Sequence, residues 1–252
     1  MATRKPLLAG NWKMYKTIPE ALEFVNGLKK NCAGVTDREI LICPPFTALA
    51  SVAQAVKGSN IALGAQNLHW ESKGAFTGEI APGMLVDAGC TYVIIGHSER
   101  RQYFGETNET VNKKMKAAFA AGLTPVVCVG ETLQEREKNE TFKVIEQQVK
   151  NGVAGLTAEQ ASVLVIAYEP VWAIGTGKTA SPAQAEEVHA FIRELYGKIY
   201  GQAATDAIRI LYGGSVKPDN TAELMSQPNI DGGLVGGASL EADSFSKIVC
   251  YK

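Results

Sequence analysis

The sequence predicts an α/β protein with a single domain, folded as a closed (β/α)₈ barrel. Short apolar runs rich in valine, isoleucine and leucine alternate with helical patterns along the whole 252-residue chain. Eight such runs are present, whereas open doubly wound sheets usually contain about five or six strands. No linker rich in proline, serine or glycine divides the chain. We therefore expect one barrel domain over residues 1–252.

The eight predicted strands are apolar on both faces, which is typical of a parallel sheet covered by helices. They span residues 6–11, 39–43, 61–65, 92–96, 124–129, 163–168, 209–212 and 232–236. The first strand is not followed by the G-x-G-x-x-G turn of dinucleotide-binding sheets. This absence disfavours an open nucleotide-binding fold.

Helix start signals lie between these strands. Residues 17–20 and 132–135 each form a capping box, in which a threonine precedes a glutamate by three residues. Ser181 is followed by a proline at the first helical position, which marks a third start. The intervening segments are therefore predicted to be helical.

The helix after Ser181 carries one apolar stripe. The stripe consists of Val188, Phe191, Ile192, Leu195 and Ile199. His189 lies off this stripe, so we expect it to be solvated or to cap rather than to do chemistry. Residues 135–138, Glu-Arg-Glu-Lys, are expected to form a solvated helical face.

Composition limits the partners and the compartment. The formal net charge of -1 offers no basic surface for nucleic acid, and no apolar run approaches the roughly 20 residues that cross a bilayer. The chain start leads directly into the first strand, without a targeting segment. Five cysteines without paired spacing indicate reduced thiols, and the three histidines form no metal motif. We expect a cytoplasmic protein without metal or cofactor.

Polar residues follow several of the strands. In a closed parallel barrel, the loops after the strands share one rim, where such enzymes place their chemistry. Asn11 and Lys13 follow the first strand, and the two-residue alternation places them on one face. His97 follows the fourth strand and Glu169 the sixth. Each alone has an ordinary role in a turn, at the surface or at a helix start, but together they predict an active site.

These four side chains suit proton transfer at carbon. An amide, an ammonium and an imidazole supply donors for a developing oxyanion, and a carboxylate supplies a base for a carbon-bound proton. Pro170 restricts Glu169 to an extended conformation at the strand end. The sequence therefore predicts Glu169 as the general base.

A lid is predicted at about residues 170–180. The apolar residues 171–174 would be poorly placed in water, and the glycines that follow can absorb a large backbone change. Residues 177–179 also resemble the end of a nucleotide-binding P-loop. Trp172 replaces the glycine which that motif requires five residues earlier, so ATP or GTP binding is disfavoured.

The last two strands predict a phosphate site. Residues 212–215 read Tyr-Gly-Gly-Ser, and residues 232–237 are Gly-Gly-Leu-Val-Gly-Gly. Glycine permits close approach of the backbone, and amides at a short helix start favour an anion. The loops after strands seven and eight are a recurrent phosphate site in this fold. Together with Gly175 of the lid, they predict a grip on a phosphate group.

Five segments together resemble the triosephosphate isomerase family. They are residues 10–14, 95–101, 167–178, 212–216 and 231–238, and they run from the first strand to the last in the family's order. No motif position departs from the family pattern. The resemblance implies the TIM barrel fold, which agrees with the alternation of strands and helices.

The resemblance also implies an activity in glycolysis and gluconeogenesis. It is the interconversion of dihydroxyacetone phosphate and D-glyceraldehyde 3-phosphate through a cis-enediolate. Glu169 would move the proton between neighbouring carbons, while His97 and Lys13 stabilise charge on oxygen and Asn11 orients the substrate. In that family, the histidine is a neutral electrophile because a helix N-terminus lowers its pKa.

The resemblance further implies how the substrate is held. Backbone amides would bind the phosphate at Gly175, Ser215, Gly236 and Gly237. Ile174 and Leu234 would close over Glu169 and keep water away.

Two further residues, Glu99 and Cys128, lie near the ends of the fourth and fifth strands. In the family, the position of Glu99 lies near the lysine, and both a structural hydrogen bond and proton transfer remain open for it. Cys128 ends the fifth strand without an adjacent base, so it is interpreted as buried packing rather than as a nucleophile.

A homodimer is also implied by the resemblance. Residues 66–79 are long for a connection inside a barrel and resemble the family's interdigitating loop. In that loop, Thr77 would reach the neighbouring active site near Asn11 and His97. A floppy insertion is the alternative, which Trp70 and Phe76 disfavour.

Two other functions compete with this interpretation. A non-catalytic sugar-phosphate-binding barrel would need the same phosphate grip, but the base and both electrophiles disfavour it. Another phosphate-handling barrel enzyme would also use that grip, and the lid and the residues after the first strand disfavour that one. A triose phosphate remains the expected small-molecule partner.

Overall fold

The computed structural model describes residues 4–174 and 179–252. Its eight strands are β1 (Leu7–Asn11), β2 (Glu39–Cys43), β3 (Ile61–Ala65), β4 (Tyr92–Ile95), β5 (Thr124–Val129), β6 (Val165–Tyr168), β7 (Arg209–Tyr212) and β8 (Gly232–Val235). They form a closed barrel in chain order, with every pair parallel and β8 paired to β1. The predicted single-domain (β/α)₈ fold is confirmed.

Helices surround the barrel. In the described residues they are α1 (Ile18–Cys32), α2 (Leu49–Val56), α3 (Pro82–Asp87), α4 (Ser98–Phe104), α5 (Asn108–Ala120), α6 (Leu133–Glu137), α7 (Thr141–Gly152), α8 (Ala158–Val163), α9 (Pro182–Tyr200), α10 (Gln202–Ala207), α11 (Thr221–Met225) and α12 (Ala242–Val249). The helices α1, α6 and α9 begin at the three predicted start signals. Short 3₁₀ turns at Phe46–Ala48, Val171–Ala173 and Gly237–Ser239 complete the connections.

The core has two layers because side chains alternate along each strand. In β1, Leu7 and Ala9 pack inside the barrel with residues of other strands, whereas Leu8 packs in the outer layer with the helices. In β6, Val165 and Ala167 point into the barrel. The same alternation directs Glu169, two residues further on, into the carboxyl-terminal mouth of the barrel.

Four strand boundaries differ from the predicted ones. The largest difference is at β6, where Val163 is the exposed last residue of α8 rather than the first residue of the strand. A capping box at Thr157 starts this helix, which continues across the apolar run. The strands β4 and β8 each end one residue earlier, before Gly96 and Gly236, and β1 begins after Pro6. Gly96 has a φ of 71°, which cannot continue a strand.

The prediction for His189 was wrong. The side chain is fully buried, and its ring lies beside the rings of Tyr168 and Tyr212. The buried face of α9 is therefore wider than the predicted apolar stripe, and it also includes Arg193. At the end of the predicted stripe, Ile199 is exposed.

None of the helices within residues 4–174 and 179–252 has the length and the apolar character of a membrane span.

Candidate active site

A cavity of about 290 Å³ opens at the carboxyl ends of the strands. Its lining includes seven of the predicted site residues, Asn11, Lys13, His97, Glu169, Ser215, Gly236 and Gly237. The predicted Gly175 lies outside the described residues. The shared rim of the barrel therefore brings together residues that are far apart in the sequence.

Glu169 is held at the mouth by its backbone. Its amide donates to the Val129 carbonyl at 2.7 Å, which extends the pairing of β5 with β6 by one residue. Two glycines leave room for it. A Cβ at Gly130 would lie 1.7 Å from the Glu169 carbonyl oxygen, and a Cβ at Gly213 would lie 2.8 Å from Glu169 Cγ. The backbone conformation and the carboxylate position of Glu169 thus depend on the absence of a side chain at Gly130 and Gly213.

His97 begins α4 and faces Glu169. Its Nε2 lies 2.8 Å from Glu169 Oε1, and its Nδ1 accepts the Glu99 amide at 3.2 Å. Because Nδ1 is an acceptor in this geometry, the proton of a neutral ring lies on Nε2. The left-handed turn at Gly96 places the ring at the start of the helix. His97 therefore presents an N–H donor to the cavity.

Both oxygens of the Glu169 carboxylate are occupied. Oε1 faces His97, and Oε2 accepts the Ser98 amide at 2.9 Å. Burial raises the pKa of Glu169, but His97, the Ser98 amide and the Lys13 charge lower it by more, so this pKa lies below its ordinary value. Glu169 is therefore an ionised carboxylate although it is 2% exposed.

The same pair determines the protonation of His97. Burial lowers the pKa of His97, but the charges of Glu169 and Glu99 raise it by more, so it lies above its ordinary value. Glu169 is the largest source of this increase. The pKa of His97 thus depends on whether the carboxylate stays in contact with the ring.

Asn11 and Lys13 reach the cavity by different routes. Asn11 is the last residue of β1 and continues the inward alternation of that strand. Lys13 lies beyond the strand and has a φ of 51°. The alternation of side chains along a strand, which was the predicted reason why Asn11 and Lys13 share a face, therefore does not determine where Lys13 points. The Lys13 amide donates to Asn11 Oδ1 at 3.0 Å, and its ammonium pairs with Glu99 at 2.5 Å. This ion pair supports the structural alternative for Glu99.

The loops after β7 and β8 form the end of the cavity where the sequence predicts a phosphate site. Ser215 and the neighbouring residue Lys217 line it on one side, and Gly236 and Gly237 on the other. A Cβ at Gly236 would lie 3.9 Å from Lys13 Nζ, so the Lys13 ammonium is close to this end. Lys217 was not among the predicted site residues.

The apolar lining also agrees with the expectation for closure. Ile174 and Leu234, the two residues expected to close over Glu169, both line the cavity. Residues 175–178, which contain the predicted glycine hinge, lie outside the described part of the chain. The preceding residues form the 3₁₀ turn Val171–Ala173.

A buried carboxylate beside the predicted lid was missed in the sequence. Glu131 is fully buried, and its Oε1 accepts bonds from Trp172 Nε1 at 2.9 Å, Tyr168 OH at 3.1 Å and Arg136 Nη1 at 3.0 Å. Its position two residues after the end of β5 was the available signal. Arg136 also stacks on the Trp172 ring, so residues 135–138 are not all solvated as predicted.

Cys128 is buried, as predicted. Burial raises the pKa of its thiol well above the ordinary value, which disfavours a nucleophilic role. Across the described ranges, no cluster of three or more histidine, cysteine, aspartate or glutamate residues could hold a metal ion.

Comparison with known sequences gives one family. The family model described as triosephosphate isomerase matches residues 6–252. A triosephosphate isomerase of Endomicrobium trichonymphae is 66% identical over 248 residues, covering 98% of this chain and 99% of that protein. The one of Carboxydothermus hydrogenoformans is 61% identical over 246 residues, covering 98% of each.

Comparison with solved structures agrees. The crystal structure of triosephosphate isomerase from Bartonella henselae is 42% identical and has a TM-score of 0.88, with 97% of each chain covered. The similarity in sequence and in fold extends over nearly the whole chain. The cavity lies at the carboxyl-terminal mouth of the shared barrel. On these grounds, the chain belongs to the triosephosphate isomerase family.

Proposed function

We propose that this chain is an isomerase that interconverts dihydroxyacetone phosphate and D-glyceraldehyde 3-phosphate. The observation that carries the proposal is the contact of Glu169 with His97, at 2.8 Å, inside a cavity that also contains Lys13. One cavity thus contains an ionised base, Glu169, and two hydrogen-bond donors for a substrate oxygen, His97 and Lys13. Membership of the family supports the same reaction.

The reaction moves one proton between adjacent carbons. Glu169 takes a proton from the carbon beside the substrate carbonyl, which forms an enediolate, and returns it to the neighbouring carbon. The His97 Nε2–H and the Lys13 ammonium stabilise the charge that develops on oxygen, and Asn11 orients the substrate. No redox partner is needed because the substrate and the product are isomers.

Substrate binding changes the state of His97. In the free enzyme, Glu169 occupies the ring N–H and raises the pKa of His97. A substrate oxygen that replaces the carboxylate removes this contribution, the largest that raises the pKa of His97. Burial, the Lys13 charge and the Glu99 amide at Nδ1 remain and favour the neutral ring, and they are then opposed by the smaller contribution of the Glu99 charge. His97 therefore acts as a neutral electrophile in the complex.

The phosphate is held away from the reacting carbons. The amides of Ser215, Gly236 and Gly237 bind it, with Gly175 from the lid as a fourth donor. The position of the first three around one end of the cavity supports this assignment. Closure of the lid, about residues 170–180, brings Ile174 over Glu169 and excludes water from the enediolate.

A homodimer is part of the proposal. Large apolar side chains are exposed on the loops and helices near the mouth, among them Met14 at 93%, Tyr103 at 68% and Phe104 at 67%. A second copy of the chain would cover them. Thr77 is exposed beside Phe76 on the loop that would enter the partner.

Aromatic contacts stabilise the loop of residues 66–79. The His69 ring stacks on Trp70 at 4.3 Å and lies 4.4 Å from the Phe76 ring. Lys113 Nζ lies 5.6 Å from the Trp70 ring. These contacts support an ordered projection rather than a floppy insertion.

The proposed compartment is the cytoplasm, where the enzyme acts in glycolysis and gluconeogenesis. All five cysteines lie in the described part of the chain and are free, and four of them are buried. Free thiols support a reducing compartment.

Proton NMR of the purified protein with dihydroxyacetone phosphate in heavy water tests the function. We expect D-glyceraldehyde 3-phosphate to appear, together with solvent deuterium at the exchanged carbon. Phosphate binding without either change would favour the non-catalytic sugar-phosphate-binding barrel. Turnover of a different sugar phosphate alone would favour another phosphate-handling barrel enzyme.

A further inference from the structure

Lys217 lines the same cavity as the catalytic groups, at its phosphate end. It follows Ser215 by two residues and is exposed. In the part of the chain that the structure describes, its ammonium forms no ion pair and no hydrogen bond. Lys13, which also lines the cavity, is already paired with Glu99 at 2.5 Å.

The positive charge of Lys217 offsets negative charge around the cavity. Glu169 and Glu99 place two carboxylates at or beside the cavity, and Lys13 balances one of them. The two carboxylates and Lys13 alone would present a net negative charge to an approaching dianion. Lys217 balances the second carboxylate, and it does so at the end where the phosphate binds.

The backbone at Lys217 is well fixed. Its amide donates to Asn220 Oδ1 at 2.8 Å, and its carbonyl accepts the amides of Asn220 at 3.2 Å and Thr221 at 3.1 Å. Asn220 Nδ2 also donates to the Ser215 carbonyl at 2.9 Å. The turn that carries Lys217 is thereby tied to the loop that offers the Ser215 amide, so the backbone of Lys217 and that amide keep their relative positions.

We infer that Lys217 is a phosphate-binding and electrostatic steering residue, selective for dianionic substrates over uncharged ones. The inference rests on the proposed isomerase function. A cation at the rim of a cleft raises the rate of encounter with an anion, and this contribution falls as salt screens the charge. Lys217 therefore acts on substrate capture, not on the proton transfer.

Substitutions at position 217 test this, with inorganic phosphate as a competitive inhibitor and D-glyceraldehyde as a substrate without phosphate. We expect Lys217→Ala to raise the inhibition constant of phosphate about two- to fivefold, as is typical of an exposed charge pair. Lys217→Glu should raise it further, and Lys217→Arg should stay near wild type. The salt dependence of kcat/KM for the triose phosphate should become weaker in Lys217→Ala.

Lys247→Ala is the matched control. Lys247 is also exposed, but it lies on α12 and does not line the cavity, so the same change of net charge should leave phosphate inhibition unchanged. Turnover of D-glyceraldehyde should be equal in all of these variants. An unchanged phosphate constant in Lys217→Ala, or an equal loss with D-glyceraldehyde, would overturn the assignment. An inactive wild type would instead contradict the proposed function.

Discussion

At the scale of single residues, the carboxylate of Glu169 is held by the His97 ring and the Ser98 amide. Both bonds involve a charged acceptor, and such bonds contribute about 1.5–3 kcal/mol each. In the proposed reaction, Glu169 exchanges at least one of these bonds for the substrate proton. Binding of the remote phosphate would supply free energy that offsets this loss.

Glu169→Gln should remove the base while keeping an acceptor for the Ser98 amide. General-base catalysis typically contributes about 10²–10⁴ in rate, so kcat should fall by at least two orders of magnitude. Binding of an unreactive triose-phosphate analogue, measured by calorimetry, should remain close to that of wild type. Equal turnover in the two proteins would refute the assigned base.

Gly213→Ala should displace the carboxylate without removing it. The added methyl would lie 2.8 Å from Glu169 Cγ and 3.1 Å from the Tyr168 carbonyl oxygen. A misplacement of this kind can cost about 10²-fold in rate, so we expect kcat to fall about 10- to 100-fold.

The control for Gly213→Ala is Gly34→Ala. A Cβ at Gly34 meets no described atom within 4 Å, so kcat should not change. Steady-state kinetics and thermal melting of both variants make the comparison. A folded Gly213→Ala enzyme with full kcat would contradict the prediction, because it would show that the residues around Glu169 can shift to accommodate the methyl group.

His189 should make the protein less stable in acid. Burial lowers its pKa to about 3, whereas the unfolded chain binds a proton at the ordinary value of 6.5. The folded state is therefore favoured above pH 6.5 and loses stability as the pH falls from 6.5 towards 3. The loss approaches about 1.4 kcal/mol per pH unit.

His189→Gln should remove this contribution to the pH dependence. Urea unfolding at pH 7.5 and pH 5, at one protein concentration, gives the free energy of unfolding for both proteins. We expect the wild type to lose more stability than the variant between the two pH values. Equal losses would mean that His189 does not remain neutral when the protein folds.

At the scale of elements, local signals determined where helices begin better than where strands begin. The capping boxes at residues 17–20 and 132–135 form as predicted because their partners lie three residues apart. The start of β6 was misplaced because an apolar run does not itself separate a helix end from a strand. Val163 belongs to the helix that the capping box at Thr157 starts, and this helix packs against α10.

Ser181→Ala should weaken the start of α9. Ser181 Oγ accepts the Gln184 amide at 3.2 Å, and Gln184 Oε1 accepts the Ser181 amide at 2.9 Å. Loss of such a cap typically costs about 1 kcal/mol. We expect a lower urea midpoint with an unchanged slope.

The matched control for this cap is Ser162→Ala. Its hydroxyl is exposed and donates to the Glu159 carbonyl inside α8, so the change should stay within about 0.5 kcal/mol. Equal midpoints for the two variants would show that the capping box at Ser181 does not stabilise the fold.

At the scale of the whole molecule, closure of the barrel makes one site out of distant segments. The pairing of β8 with β1 brings the last glycine-rich loop beside Lys13. The same rim leaves large apolar side chains exposed next to the site, which is why we propose that a second copy completes the structure.

Removing residues 72–77 should separate the proposed dimer. The deletion takes away Phe76 and Thr77 but leaves Gln66, whose Nε2 donates to the Lys13 carbonyl at 2.8 Å. Sedimentation equilibrium should give a mass close to the 26.9 kDa of one chain, with impaired activity. Thr77→Ala alone should keep the mass of the undeleted protein. An unchanged mass in the deletion variant would argue against this loop as the interface.

The sequence by itself determined the barrel, the rim and the identity of the four proposed catalytic residues. These follow from local regularities, because alternation along β1 and β6 directs Asn11 and Glu169 inward and the family motifs are contiguous strings. The fold is confirmed, whereas the catalytic roles remain predictions.

Only the tertiary structure decided the contacts between those residues and their surroundings. The bond of Glu169 to the Ser98 amide, the burial of Glu131 and His189, and the position of Lys217 on the lining of the cavity all depend on segments far apart in the chain. Burial and electrostatic pairing are properties of neighbours in space. For this reason, periodicity in the sequence could not predict these contacts or the burial of these side chains.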